Sequence, residues 1–398
     1  MNKNILNKYV QDYISKNLST DVIEIILKKQ LFPKITNKEI AEQISAKAKS
    51  KKKLPTYYKT PNIYFPNKIN IEQTSSEKTA EFKSKIVSGD TMIDATGGFG
   101  VDSLYFSKEF KKTVYIEENT ELFEIVKANS NKLGLNNIKH LNENGIDYAK
   151  KTDAEIDLLY IDPSRRNKEN KKVHFLSDCT PLIDYDLIES LQNFKTILIK
   201  CSPIIDLKKT INDLKVVSKI YIVGVNNEVK EVLFSLNKKC NNDIKIKCVD
   251  LNNMESDFEF CINEIDNKQN NDKSDVLKYL YEPNSMILKS GAFSLICDRY
   301  DVKKLNTNSH LYTSKELIDF PGRVFEVNSV VNYSKRNLKD LNIYKANITT
   351  RNFPIDIKDI RKKSKILDGG EDYLFFTTNY SNEQIIIKTK KITKKSEV

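Results

Sequence analysis

Three glycines fall within four positions in Ile93-Asp94-Ala95-Thr96-Gly97-Gly98-Phe99-Gly100-Val101-Asp102, between an apolar run and a helical pattern. Glycine lets a backbone approach a ligand closely, and a carboxylate at a strand end can meet a charged or hydroxylated group. Asp94, Thr96, Gly97, Gly98 and Gly100 are therefore candidates for holding a nucleotide-like ligand at the carboxyl edge of a sheet. Glu117 closes the next strand about twenty residues on, where an acid can bind both hydroxyls of a ribose, with Glu118 as its rival. Asn144, in Asn142-Glu143-Asn144-Gly145-Ile146-Asp147, could border the base. Asp162, in Ile161-Asp162-Pro163-Ser164-Arg165-Arg166, ends a further strand and could contact ligand and substrate or take a proton, with Pro163 and Arg165 beside it. Arg165 and Arg166 suit a phosphate or carboxylate clamp and equally a structural salt bridge. In Lys200-Cys201-Ser202-Pro203 a thiolate beside lysine is a candidate nucleophile, while a cysteine at a strand end also serves packing. Gln73 and Ser76, in Glu72-Gln73-Thr74-Ser75-Ser76-Glu77, precede the first strand, a place from which a loop can cover a ligand; Ser-Ser-Glu is also an ordinary helix cap.

The elements that must position these residues follow from periodicity. Strands are expected at Thr91–Asp94, Thr113–Ile116, Ile156–Ile161, Thr196–Lys200, Lys219–Val225 and Ile244–Val249. Helices are expected at Val101–Phe110 and Leu122–Leu133, with one before Lys219 and another after Val225. Strands separated by helices imply a parallel sheet with helices on both faces, an α/β Rossmann-like core over residues 71–265. Residues 1–70 read as a helical region, with Ile25, Ile40 and Ile44 at helical spacing, followed by a basic and aromatic linker. The basic run Lys47–Lys53 followed by Tyr57, Tyr58, Tyr64 and Phe65 suits single-stranded RNA, or a solvated link whose rings tuck into the next domain. The polar tract 266–274 marks a boundary, small α+β modules follow, and the basic stretch Lys388–Lys395 is expected to fray.

Length and charge bound the remainder. The 398 residues exceed one ordinary core, and a hydrophobic fraction of 39% suffices for packed domains. A net charge of +11 favours a polyanionic partner, although only seven of the 65 basic residues are arginine, which also fits a compositional bias toward lysine. The cysteines and His140, His174 and His310 show no metal-ligand spacing, so no metal site is expected. The first residues lack an apolar signal core and no long apolar run occurs, so a cytoplasmic, reduced protein away from the membrane is expected.

The glycine turn lacks the full G-x-G-x-x-G spacing of dinucleotide sites, and the later acids follow in methyltransferase order. D-x-T-G-G-x-G with a downstream acid and a D-P-x-R strand end resembles the class I S-adenosylmethionine-dependent methyltransferases. More narrowly, the chain resembles bacterial methyltransferases with a THUMP-like carboxyl-terminal domain. That likeness rests on Lys53-Leu54-Pro55, the Glu72–Glu77 stretch, the glycine turn, Asp162–Arg166, Leu280-Tyr281-Glu282-Pro283-Asn284, Arg351-Asn352-Phe353-Pro354 and Asp368-Gly369-Gly370. The resemblance implies S-adenosyl-L-methionine as cofactor, a ferredoxin-like module over 275–322 and a THUMP-like module over 323–398. THUMP domains elsewhere bind RNA, so it also implies an RNA substrate, methylated on a base. Ser164 and Arg165 depart from the D/N-P-P-aromatic pattern of amine-methylating enzymes; the strand end is similar to the D-P-P-R motif of the uridine C5 enzymes, which also place a cysteine after the fifth strand, a likeness that implies a Cys201 thiolate adding to a pyrimidine ring. The alternatives are a methyltransferase acting on a protein or small molecule, and an RNA-binding adaptor with a vestigial core.

Overall fold

Strands β1 (Thr91–Asp94), β2 (Lys112–Ile116), β3 (Ile138–Leu141), β4 (Ile156–Ile161) and β5 (Phe194–Cys201) run parallel in the order β3-β2-β1-β4-β5. The central strands are short apolar runs such as Leu158-Leu159-Tyr160-Ile161, buried on both faces, as parallel strands under helices must be, while the edge strand β3 is only partly buried. Between them lie helices α7 (Val101–Glu109), α8 (Thr120–Lys132), α9 (Gly145–Lys150) and α10 (Tyr185–Ser190), and α11 (Leu207–Leu214) follows β5. They follow α1 (Lys8–Lys16), α2 (Val22–Leu27), α3 (Asn37–Lys53), α4 (Pro55–Lys59), α5 (Lys68–Gln73) and α6 (Glu77–Lys85). Because β1 has β2 on one side and β4 on the other, the chain leaves it at a topological switch point, where open α/β sheets bind ligands.

The computed structural model describes residues 1–164, 176–237, 243–253, 257–266 and 273–393. These form two units, Met1–Lys219 with Glu231–Asn241, and Ile220–Lys230 with Asn242–Val398. The amino-terminal helices, expected as a separate region, instead share one core with the sheet domain. Ile40, Ile44, Leu54 and Tyr57 belong to the same apolar cluster as Phe99, Leu104, Tyr105 and Val126. Two amide side chains fasten the segment between them. Gln43 accepts from the Phe65 N–H (3.0 Å) and donates to its carbonyl (2.6 Å), and Asn129 does the same for Tyr64 at 3.0 and 2.9 Å. Tyr57, Tyr64 and Phe65 are therefore buried, and of the two readings of the aromatic stretch the packing one applies to them.

A helix expected after Val225 is replaced by a strand. β6 (Val217–Val225) turns through Asn226 and Asn227, at φ 53° and 57°, into β7 (Glu228–Leu236), which pairs antiparallel with β5 through Val232–Leu236. Asparagine tolerates the left-handed region that a two-residue hairpin demands, so Asn-Asn ends one strand and starts the next.

The second unit also begins earlier than residue 265, since β8 (Lys245–Asp250) and β9 (Phe258–Cys261), which pair antiparallel, belong to it. The polar tract at 267–272 lies outside the described residues. Beyond it come β10 (Tyr279–Pro283), β11 (Lys303–Lys304), β12 (Tyr312–Ser314), β13 (Gly322–Asn332), β14 (Lys345–Arg351), β15 (Leu367–Thr378) and β16 (Gln384–Ile392). They join in one sheet, ordered β11-β12-β10-β13-β16-β15-β14. The two expected modules thus share a sheet, with β13 pairing to β10 through its first half and to β16 along its length. The basic stretch from Lys388 is paired on both sides, by β13 and β15, through Lys390 and by β13 alone through Ile392, so it does not fray there; residues 394–395 lie outside the described residues. Successive residues of β15 and β16 serve opposite cores. Leu374, Phe376 and Ile386 pack in one, and Phe375, Ile385 and Ile387 in the other. Glu282, nearly excluded from solvent, binds Arg323 Nε at 2.6 Å and Arg351 Nη2 at 2.7 Å, so two of the family motifs meet in a structural clamp.

If the amino-terminal helices share the core of the sheet domain, Ile44→Ala should cost about 2–5 kcal/mol, read by urea denaturation. A loss near zero would mean these helices merely rest on the domain.

Candidate active site

The turn leaving β1 is held from below. Asp94 is fully buried and accepts hydrogen bonds from the Thr96 N–H (3.1 Å) and the Ser103 hydroxyl (2.5 Å), tying the start of the turn to α7. It therefore supports the turn and is not among the residues that line the cavity above. Burial pushes its carboxyl up to about 7, against the two hydrogen bonds. Gly97 has no room for a side chain, since a Cβ there would lie 2.2 Å from the Tyr115 ring, while Gly98 and Gly100 stand at φ 54° and 74°. Gly100 caps α7 and lies off the cavity lining.

Above the turn opens a cavity of about 740 Å³, lined among others by Thr96, Gly97, Gly98, Glu117, Asn144 and Asp162. Gln73 and Pro163 also line it. Glu117, one residue beyond β2, accepts the Gly98 N–H at 2.9 Å on one oxygen and the Asn119 N–H at 2.8 Å on the other. Burial raises its pKa while those N–H groups lower it, and burial dominates. Glu118 is exposed and also lines the cavity; it accepts a 3.2 Å bond from Asn144 Nδ2. Asn144 caps α9 through the Ile146 and Asp147 N–H groups, both at 3.0 Å. Gly145 was not singled out in the sequence, yet a Cβ there would sit 1.9 Å from the Ala95 carbonyl, so α9 abuts the turn only because that residue is glycine. The Asn-Gly pair was the available signal.

At the far wall the Asp162 N–H donates to Thr96 Oγ1 at 2.6 Å, and Lys200 binds Asp162 Oδ2. Sequence reasoning passed over Lys200, noting it only as the neighbour of Cys201. The structure reverses that emphasis: Lys200 lines the cavity, whereas Cys201 is buried in β5, paired with Val232, and lies off the lining. Alternation along a strand sends the two side chains to opposite faces. Ser76 is likewise off the lining and caps α6 through the Thr79 N–H at 3.2 Å, while Ser75 faces the cavity. Arg165 and Arg166 lie outside the described residues.

Beneath the cavity floor is a charge cluster that sequence reasoning missed entirely. Lys83 of α6 has no solvent exposure and binds Glu231 of β7 at 2.8 Å, Asp102 of α7 at 3.2 Å and the Ser75 hydroxyl at 2.9 Å. Asp102 accepts further bonds from Ser75 and Tyr160, both at 2.8 Å. Burial opposes ionisation throughout, but Asp102 and Glu231 hold the lysine above its usual pKa, and Lys83 with Lys200 holds Asp102 below the usual carboxylate range. At Glu231 burial outweighs the lysines and the shift is upward. Among the described residues no group of three or more His, Cys, Asp or Glu could hold a metal, and no helix is long and apolar enough to cross a membrane.

Lys83→Met should destabilise the protein by about 3–5 kcal/mol in chemical denaturation, because two buried carboxylates lose their counter-charge; a neutral result would remove the cluster from the account. Asp94 binds a proton more tightly folded than unfolded, so its ionisation lowers stability as pH rises from about 4 toward about 7. Asp94→Asn should flatten that decline in melting temperature, and an unchanged pH profile would show the carboxyl is not perturbed.

Two family profiles match the second unit: a ferredoxin-like domain over residues 279–321 and a THUMP domain-like family over 322–391. No curated protein matches the sequence. Among solved structures, one named "putative methyltransferase from Porphyromonas gingivalis W83" is 28% identical, covers 98% of this chain and 99% of its own, and has a TM-score of 0.86. Partial likenesses include M. capricolum TrmK in complex with S-adenosyl-homocysteine (15% identity, 40% of this chain and 68% of that one, TM-score 0.30). An rRNA methylase from Streptococcus thermophilus is similar in the same way (14%, 40% and 93%, TM-score 0.29). The full-length likeness and the two profiles agree with the motifs: the chain is built as a class I methyltransferase fold carrying ferredoxin-like and THUMP-like modules.

Proposed function

We propose that this protein is an S-adenosyl-L-methionine-dependent methyltransferase that modifies RNA. The observation that carries the reading is Glu117 bound to the Gly98 N–H at the rim of the cavity, at the switch point of the sheet. Each Glu117 oxygen gives one lone-pair direction to a backbone N–H and keeps another for a ribose hydroxyl. Ile116, Leu122 and Ile146 supply apolar wall for an adenine, with Asn144 at its edge. The Thr96–Gly98 backbone and Gln73 are polar groups on the lining suited to the amino-acid end. A cavity of about 740 Å³ is within the ordinary range for such ligands, roughly 300–1,000 Å³.

Bound there, S-adenosyl-L-methionine supplies a methyl carbon made electrophilic by an adjoining sulfonium. The protein then has to align an acceptor, keep water away and receive a proton where the acceptor carries one. RNA is supported as acceptor by the THUMP-like module, a kind of domain that binds RNA elsewhere, and by the net charge of +11.

Isothermal titration with S-adenosyl-L-methionine and S-adenosylhomocysteine should give micromolar affinity, and Glu117→Ala should weaken it about 10- to 100-fold by removing two charge-assisted hydrogen bonds. A neutral substitution would put the ribose elsewhere. Labelled methyl should pass to cellular RNA and the transfer should fall steeply with salt. Cofactor binding without RNA labelling would point to a protein or small-molecule acceptor, and no cofactor binding to an RNA-binding adaptor.

A further inference from the structure

Resting on the reading above, the far wall of the cavity identifies the accepting atom. Asp162 and Lys200 stand side by side there, and Lys200 is almost wholly screened from solvent while about 29% of the Asp162 side chain is exposed. Behind them lies the Lys83–Asp102–Glu231 cluster, on whose two carboxylates Lys200 also acts. One Asp162 oxygen is taken by Lys200. Among the described residues no hydrogen bond reaches the other, Oδ1, which is thus an acceptor there.

Among the described residues, the same wall offers little of what a base would need. Among the described residues the one aromatic side chain on the lining is Phe99, and it is buried against Tyr57 with ring centroids 4.9 Å apart. Around Asp162 the described lining is Pro163, Ser164, Thr180, Pro181, Ser202 and Pro203, none of which offers a base a ring to stack on; residues 165–175 lie outside the described residues. Attack from a pyrimidine carbon would need a thiolate, and Cys201 is turned away from the cavity. A hydroxyl needs neither ring nor thiol. It needs an acceptor for its proton and benefits from a cation beside its oxygen, and Asp162 with Lys200 offers both.

We propose that the acceptor is the 2′-hydroxyl of a ribose in RNA, the free hydroxyl of every internal nucleotide, with Asp162 as proton acceptor and Lys200 as its positioning residue. The base acceptor expected from the sequence is the alternative that the test below decides. The hydroxyl oxygen forms a bond to the methyl carbon from a lone pair, and the carbon–sulfur bond breaks with its pair passing to sulfur. The hydroxyl proton moves to Asp162 Oδ1. The products are a methyl ether, a neutral thioether and a protonated carboxyl that returns its proton to water; Lys200 takes no part in the proton transfer and fixes the carboxylate.

The test uses the full-length protein, radiolabelled S-adenosyl-L-methionine and total RNA from a strain lacking the gene, followed by alkaline hydrolysis. Alkali cleaves RNA through the 2′-hydroxyl, so ribose methylation leaves labelled, alkali-stable dinucleotides, which is the expected result. Label in mononucleotides would overturn the hydroxyl assignment and leave RNA methylation standing; no label despite cofactor binding would overturn both. Asp162→Asn and Lys200→Met should lower kcat at least about 100-fold with cofactor affinity, read by calorimetry, nearly unchanged. Lys200→Arg should recover part of the loss. Full activity in Lys200→Met, or loss of cofactor affinity alone, would remove Lys200 from the mechanism.

Discussion

An ammonium group deprived of water must be matched by carboxylates, and Lys83 meets that condition by drawing together parts of the chain that are remote in sequence. Its partner Glu231 lies 148 positions away on β7, and Asp102 lies in the first turn of α7, directly after the glycine turn. The lysine therefore fixes how α6, α7 and β7 approach one another. Such a cluster is weak as a source of net stability, because desolvation offsets most of the attraction, but removing one member strands the others. Its consequence is geometric. Ser75 and Asp102, both held by Lys83, line the cavity, so the floor of the site inherits the rigidity of the cluster.

The turn above uses a second kind of constraint. Asp94 below, Tyr115 behind and Glu117 in front hold the Thr96–Gly98 backbone from three sides, the Tyr115 hydroxyl donating to the Gly98 carbonyl at 2.8 Å. Gly97 and Gly145 are glycines because aromatic ring and backbone occupy the space a side chain would take. A backbone held this way needs little reordering when a ligand arrives, which favours affinity.

What could be read from the sequence was local. The glycine turn, Glu117, Asn144 and the Asp162 strand end stand out because residue type and spacing within a few positions carry them, and all but the buried Asp94 and the helix-capping Gly100 reach the cavity. Lys83 could not be read, because Glu-Phe-Lys-Ser-Lys looks like an exposed helix face and nothing near it announces Glu231. Lys200 was overshadowed by Cys201, and only the strand's alternation decides which faces the ligand. The strand β7 was taken for a helix because a short apolar run is ambiguous and the Asn226-Asn227 turn was overlooked. The final basic strand looked frayed because its lysines hide the alternation of Ile385, Ile386 and Ile387 between two cores.

The account turns on one placement, an adenosine whose ribose meets Glu117 while its sulfur end points toward Asp162 and Lys200. A crystal structure of the full-length protein grown with S-adenosylhomocysteine tests it directly. The account predicts ligand density within the cavity, both ribose hydroxyls within hydrogen-bond distance of Glu117, and the sulfur on the side of the Asp162–Lys200 pair. Density elsewhere, or a ligand in the cavity that leaves Glu117 untouched, would contradict it.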